Sequence, residues 1–295
     1  MQYYIQILLL AVVQGAAELL PVSSSAHVIL AQKLMGLDPS DPKQTFLLIM
    51  LHTGTMFAVI VYFWPRWRPL FAIGASTAGA EDSPYPPLRH SLWHRYRFLW
   101  LAVAATAVTG VGVGLILLVE KLTHRELEEL FKRLDLIGLA LLAVGVFILI
   151  AGFLEGRIKE GGLTLRTALL IGLVQGVCLP FRGFSRSGAT ISTALLCGVP
   201  RRLAEDFSFA LAVLITPAAI GRYVLRLLKD KSFQSWDEVA TLLAPGFVGM
   251  LFSFAAGYVA LKLLSAALEH GRWKYFGFYC LAAAAVLFGF AWYGW

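Results

Sequence analysis

Six apolar runs, each long enough to cross a bilayer, leave this chain little choice of fold. They lie at roughly 44–64, 97–119, 134–154, 206–228, 240–264 and 274–294, against the ~20 apolar residues that a spanning helix needs. Lipid offers backbone groups no hydrogen-bond partners, so each run must be a helix. The rest of the composition agrees. The chain is 58% hydrophobic and 15% charged, with a mean hydropathy of +0.72. A soluble chain of this length would alternate polar and apolar faces more often.

Two further apolar stretches do not fit as simple spans. Residues 1–35 are interrupted by Pro21 and a serine run, and residues 164–199 by the segment from Pro180 to Gly188. Their pieces are roughly 10 to 18 residues long, short for a full crossing. Helix, break, helix with polar residues at the break predicts a re-entrant hairpin, since non-helical backbone at that depth is tolerated only inside protein or against a wet cavity.

The two breaks share a phrase. Val13-Gln14-Gly15 with Leu20-Pro21 and Ser23-Ser24-Ser25 is echoed by Val174-Gln175-Gly176 with Leu179-Pro180 and Ser185-Arg186-Ser187. Each half, about 1–154 and 155–295, then holds one hairpin and three spans. Three is odd, so the second half enters the membrane from the opposite side. The expected fold is an all-α integral membrane protein: a single membrane domain over 1–295 with about six transmembrane helices plus two re-entrant helix hairpins in an inverted-topology repeat.

Charge speaks to topology rather than to partners. The formal net charge is +7 (25 Lys and Arg against 18 Asp and Glu). Basic residues such as Arg66, Arg68, Arg89, Arg95 and Arg97 sit in or beside loops. With no soluble basic domain to carry it, nucleic-acid binding is excluded as a reading; headgroup affinity and orientation remain. The loops at 65–96, 155–166, 200–205 and 265–274 hold somewhat more Lys and Arg than the opposite side, which places both termini outside the cytoplasm. Pro84, Pro86 and Pro87 mark an irregular loop, and mixed charge predicts a short surface helix within 120–133. Cys178, Cys197 and Cys280 lack metal or disulfide spacing and read as packing residues. The N-terminal Met-Gln-Tyr-Tyr-Ile-Gln has no basic n-region and is not a standard secretory signal.

The chemistry concentrates at the breaks. Gln14 and Glu18 are four apart and share a helix face; Ser23, Ser24, Ser25 and His27 follow. The bland alternative makes a serine an N-cap and Glu18 its neighbour's acceptor, but it leaves a carboxylate and an imidazole at membrane depth, where ionisable groups mark function. In the second break, Arg182 reads as an arginine that snorkels to the interface. Arg186, between Ser185 and Ser187 and followed by Thr190, stands at a helix start, where a guanidinium and free N–H groups form a phosphate site. Together the breaks offer an anion clamp, an acid/base and nucleophiles, and a carboxylate beside phosphate invites Mg²⁺ or Ca²⁺, with Glu18 as ligand. No P-loop or Gly-x-Gly-x-x-Gly is present, so the expected substrate is an anion arriving from lipid, such as a prenyl phosphate. His52-Thr53-Gly54-Thr55, inside the first span, fits either the cavity wall or helix packing. Pro217 predicts a kink in the fourth span. Glu120, Glu155, Glu205 and Asp206 lie near span ends and read as solvated.

At these residues the chain resembles the undecaprenyl-diphosphate phosphatase, or bacitracin-resistance protein, family. The resemblance rests on Glu18-Leu-Leu-Pro-Val-Ser-Ser-Ser-Ala-His27 and Gly183-Phe-Ser-Arg-Ser-Gly-Ala-Thr-Ile-Ser192, with Leu51-His-Thr-Gly-Thr-Met-Phe-Ala-Val59 and Phe207-Ser-Phe-Ala-Leu-Ala-Val213 in support. It implies a multi-pass plasma-membrane enzyme that hydrolyses a polyprenyl diphosphate to the monophosphate, recycles the cell-wall lipid carrier and confers bacitracin resistance. It implies a site open to the extracytoplasmic side and a divalent cation. Glu18, Ser24, His27 and Arg186 would be catalytic; Gln14, Ser23, Ser25, Ser185, Ser187 and Thr190 would bind substrate. The chain departs from the family pattern at Gln14, where the family carries a second glutamate, and at the second break, which is about one residue longer and carries Arg182. A transporter of polyprenyl phosphate without hydrolysis is the alternative, because broken helices at mid-membrane also build carriers. The sequence leaves room for a homodimer.

Overall fold

The computed structural model describes residues 2–39, 41–71, 92–123, 133–159, 161–229 and 236–294. Every regular element among them is helical. The first half contains α1 (Gln2–Leu19), α2 (Ser24–Leu34), α3 (Pro42–Phe71), α4 (Leu92–Thr123) and α5 (Leu134–Leu154). The second contains α6 (Leu165–Cys178), α7 (Arg186–Leu196), α8 (Arg201–Lys229), α9 (Trp236–Glu269) and α10 (Trp273–Trp292). Six of these, α3, α4, α5, α8, α9 and α10, are long and apolar enough to span a bilayer. Large apolar side chains such as Trp100, Val111, Ile150, Leu173, Phe252 and Leu263 point outward, an apolar surface far larger than soluble monomers expose. The chain is a multi-pass membrane protein.

The helices of the two predicted hairpins are shorter. α2 and α7 have 11 residues each, about 16 Å of helix against a hydrocarbon core of about 30 Å. α1 stops where Pro21 cannot continue it, and α2 begins after Ser23, whose φ of 67° reverses the chain. α6 stops before Pro180 in the same way. α7 then starts with a true cap: Ser185 Oγ accepts from the Gly188 N–H at 3.2 Å. The turn before it needs glycine. Gly183 has φ 96°, and a Cβ there would lie 2.3 Å from the Ile137 carbonyl oxygen of α5.

Small residues let the short helices bury themselves. α1 runs along α9 and α6 along α4. A Cβ on Gly15 would meet the Ser253 carbonyl oxygen at 2.5 Å, and one on Gly172 the Ala105 carbonyl oxygen at 2.3 Å. Such close backbone approach is how helices associate where lipid gives no hydrophobic drive. Thr109 reinforces the α4–α6 contact by donating to the Gly172 carbonyl at 2.8 Å. Elsewhere α5 packs along α10, and α3 along α9 and α8.

Several details depart from the sequence-based expectations. α3 does not end near Pro65; it continues to Phe71 through Pro65 and Pro69, its last turns held by buried Trp67 and Leu70. α4 runs through Thr123, into the segment expected to hold a separate surface helix; residues 124–132, like the loop with Pro84, Pro86 and Pro87, lie outside the described residues. Cys178 and Cys280 are buried and unpaired, as packing residues should be.

The clearest correction concerns Glu205 and Asp206. They are not solvated but 1% and 0% exposed. The helix starts earlier than predicted, at Arg201, and turns both carboxylates inward onto Arg66 of α3. Arg66 Nη1 donates to Glu205 at 3.2 Å and to Asp206 at 2.9 Å. Ser265 of α9 donates to the second oxygen of Glu205, and Tyr62 donates to Ser265 at 2.8 Å. The guanidinium also lies over the Tyr62 and Phe63 rings at 5.6 and 5.2 Å. Glu155 is likewise paired, with Arg201 at 2.8 Å.

This cluster ties α3, α8 and α9 together, and removing Arg66 would take a cation away from two buried carboxylates. Arg66→Met should therefore destabilise the folded protein by about 3–5 kcal/mol. A variant that also replaces Glu205 and Asp206 with leucine should recover most of that loss. Thermal unfolding in detergent, followed on the full chain, reads both.

Candidate functional site

Four helices bring the predicted chemistry together at the first break. On α1, Gln14 and Glu18 face the same way, and Gln14 Nε2 donates to Glu18 Oε2 at 3.2 Å. Ser24, the first residue of α2, donates from Oγ to the same Glu18 oxygen at 2.5 Å. From α3, His52 places Nδ1 3.0 Å from Gln14 Nε2 and 3.7 Å from Glu18 Oε2. From the head of α7, Arg186 places Nη2 3.7 Å from Glu18 Oε1.

The orientation of Gln14 follows from these partners. Turned over, its amide would set an oxygen against the Glu18 carboxylate, which is repulsive. With nitrogen inward, one N–H serves Glu18 and the other serves His52. His52 Nδ1 is then an acceptor, and in the neutral ring its proton sits on Nε2.

Arg186 is the unusual member. Its side chain is 14% exposed. Nη2 faces Glu18, whereas Nη1 is buried and makes no hydrogen bond among the described residues. A buried, unsatisfied donor on a cation is costly, and α7 begins at this same residue, where first-turn N–H groups have no partner within the helix; the Gly188 N–H is taken by Ser185 Oγ.

The two breaks hold each other. The Gly183 N–H donates to Ser25 Oγ at 3.1 Å, and Ser187 Oγ donates to the Leu20 carbonyl at 3.3 Å. Within each break the flanking hydroxyls also pair, Ser23 with Ser25 at 3.2 Å and Ser185 with Ser187 at 3.3 Å. Ser23 and Ser185 are buried and committed to these contacts and, for Ser185, to its cap. Thr190 sits one turn into α7, donating to the Arg186 carbonyl at 2.9 Å and paired with Ser208 of α8 at 2.6 Å. It braces the helix that carries Arg186, and its hydroxyl stays away from Glu18.

His27 stands apart from the Glu18 cluster. Its side-chain partners are the Ser23 carbonyl, 2.8 Å from Nδ1, and the Tyr279 hydroxyl of α10, 2.7 Å from Nε2. Ser24 and His27 are three residues apart, so they share one side of α2.

Two members are not among the site residues expected from the sequence, which left His52 between cavity wall and helix packing. His52 was visible as an ionisable residue in the middle of a span, yet its neighbours divide: Thr53 and Thr55 bond back to their own helix, and a Cβ on Gly54 would meet the Met250 carbonyl oxygen at 2.2 Å. Only His52 turns to the site. Tyr279 gives no signal, because a tyrosine in an aromatic-rich final span reads as lipid-facing surface.

Comparison with known proteins agrees with this arrangement of motifs. The family model described as bacitracin resistance protein BacA matches residues 7–286. An Acinetobacter baylyi protein named undecaprenyl-diphosphatase 2 is 48% identical over 294 residues, covering 96% of each chain. Proteins named undecaprenyl-diphosphatase from Korarchaeum cryptofilum and Desulfosudis oleivorans are 33% and 31% identical, over 94% and 96% of this chain. With the match running through both breaks and all six spans, the chain belongs to the bacitracin resistance protein BacA family.

Proposed function

We propose that the chain is a membrane phosphatase that hydrolyses undecaprenyl diphosphate, or a closely similar polyprenyl diphosphate, to the monophosphate. The observation that carries this is Arg186: a cation at a helix head, with one buried unbonded N–H face, set across the break from a Ser24–Glu18 pair. That is an anion clamp beside an activated hydroxyl. The family and the names of its relatives point the same way.

In this reading Arg186 and the first turn of α7 hold the terminal phosphoryl group and offset the charge that builds as phosphorus is attacked. Ser24 Oγ attacks, and its proton passes to Glu18. The bridging P–O bond breaks, and the leaving prenyl monophosphate takes a proton from the Nε2 of protonated His27. Water then cleaves the phosphoserine, returning a proton to His27 while Ser24 regains its own from Glu18. Gln14 and His52 fix the Glu18 carboxylate.

A divalent cation is the expectation that the site supports least. Hard cations seek several carboxylate or carbonyl oxygens. Here Glu18 is the one carboxylate of the cluster, its Oε2 already accepts two hydrogen bonds, Oε1 faces Arg186, and Gln14 presents nitrogen. No group of three or more His, Cys, Asp or Glu side chains set to share an ion exists among the described residues. These donors do not fit a resident Mg²⁺ or Ca²⁺.

We read α1–α2 and α6–α7 as the two re-entrant hairpins of one membrane domain, with halves 1–154 and 155–295 inverted relative to each other. The support is reciprocal packing: α1 lies on the second span of the other half, α9, and α6 lies on the second span of the first, α4. The site then opens to the extracytoplasmic side of the plasma membrane. Cysteines placed singly at Tyr3, Met35, Gly162 and Pro200, in an otherwise cysteine-free chain, report on this. The hairpin reading expects the two ends of α1–α2, at Tyr3 and Met35, to label from one side of intact cells, and those of α6–α7, at Gly162 and Pro200, from the other. Labelling of Tyr3 and Met35 from opposite sides would make α1–α2 a full crossing.

Phosphate release from undecaprenyl diphosphate by purified protein in detergent is the direct test. Arg186→Ala should reduce kcat/KM by roughly 10³-fold or more, and Glu18→Gln by roughly 10²–10⁴-fold. Ser24→Ala should remove a phosphoserine that mass spectrometry detects in the wild type. Binding of the lipid without phosphate release, with transfer between liposome leaflets, would instead favour the carrier. Gln14→Glu sets a second carboxylate beside Glu18, so it should gain Mn²⁺ binding by electron paramagnetic resonance and make phosphate release depend on added cation.

A further inference from the structure

We propose that Tyr279 is a positioning residue for His27, holding the imidazole through its reactive nitrogen; the proposal rests on the phosphatase reading above. The tautomer follows from the partners. The Ser23 carbonyl oxygen can only accept, so His27 Nδ1, 2.8 Å away, carries a proton in every state of the ring. Nε2 is therefore the one nitrogen that changes protonation, and it is the one that Tyr279 touches, at 2.7 Å. A phenol both donates and accepts. It donates to Nε2 when His27 is neutral and accepts from Nε2–H when His27 is charged, so the same contact serves both states of a proton donor.

The geometry around the pair fits such a role. The two rings lie nearly parallel, 14° apart with centroids 5.7 Å from each other, which fixes the imidazole plane as well as its nitrogen. The carbonyl that holds the other side of the ring belongs to Ser23, the residue with φ 67°. Tyr279 itself is 47% exposed, so its hydroxyl can yield Nε2 to an incoming phosphoryl oxygen. Its helix is anchored where it matters: Cys280 Sγ donates to the Pro21 carbonyl at 3.4 Å, and Trp273 Nε1 donates to Ser192 Oγ of α7 at 3.0 Å. α10 thus touches both hairpins, and Tyr279 faces the first break from a helix of the other half.

Tyr279→Phe keeps the ring and removes the hydroxyl. In the purified full chain, with undecaprenyl diphosphate as substrate, kcat should fall roughly 10- to 100-fold, with KM little changed. In a His27→Gln background the same substitution should cost nothing further, since a residue acting through His27 has nothing left to act on. Independently of turnover, nitrogen-15 spectra of histidine-labelled protein should show the His27 Nε2 resonance moving in Tyr279→Phe while Nδ1 stays protonated and His52 is unaffected. Wild-type kcat in Tyr279→Phe, an equal loss in the His27→Gln background, or an unmoved Nε2 resonance would each overturn the proposal. If the wild type releases no phosphate, the phosphatase reading falls and takes the catalytic role with it; a wild type that turns over and depends on His27 but not on Tyr279 overturns this inference alone.

Discussion

Backbone that leaves the helical path inside a membrane must find its hydrogen bonds within the protein, because lipid supplies none. That requirement organises the centre of this molecule. Both breaks carry Pro at the end of one helix and hydroxyls at the start of the next, and each uses a hydroxyl to satisfy the other's backbone: Ser25 for the Gly183 N–H, Ser187 for the Leu20 carbonyl. Neither break is self-sufficient. The same pairing brings Glu18 within 3.7 Å of Arg186, so the cluster is a consequence of how the breaks are stabilised.

The copies of the repeated phrase have diverged according to what faces them. Gln14 lies against Glu18 and His52 and works as a double donor. Gln175, its counterpart, is fully buried and donates to Thr109 of α4 at 3.1 Å, where it serves packing. Ser24 stands where the second copy has Arg186. In the proposed reaction, this one difference between a hydroxyl and a guanidinium makes one break the nucleophile side and the other the anion side. Two serines there would lack a cation for phosphate, and two arginines would set like charges against each other in a low-dielectric setting.

Much of this could be read from the chain, because periodicity and hydrophobicity are local properties. The six spans, the Pro21 and Pro180 stops and the Glu18, Ser24 and Arg186 positions all announce themselves by residue type. What failed to show is tertiary. Glu205 and Asp206 look like solvated residues near a helix start until Arg66, some 140 positions earlier, arrives to pair with them. Pro65 looks like a helix end, and only the buried Trp67 and Leu70 explain why α3 continues. His27 and Tyr279 are separated by 252 positions, and no pattern in either segment points to the other.

The two charge clusters show how the same physics yields different behaviour. Around Arg66 the cation is paired: Nη1 meets two carboxylates, the guanidinium lies over two aromatic faces, and a serine hydroxyl binds one of the carboxylates. Such a cluster is costly to assemble and costlier to break, and it fixes three spans in one arrangement. Around Arg186 the pairing is deliberately incomplete. Glu18 sits at the edge of ion-pair distance, divides its oxygens among Ser24, Gln14 and the guanidinium, and leaves Nη1 without a hydrogen bond among the described residues. In the proposed reaction, a shorter Glu18–Arg186 bond would leave neither group for a phosphate or for the Ser24 proton. Gln14 Nε2 donates to the same carboxylate, a hydrogen bond that a second ionised acid at this position could not make.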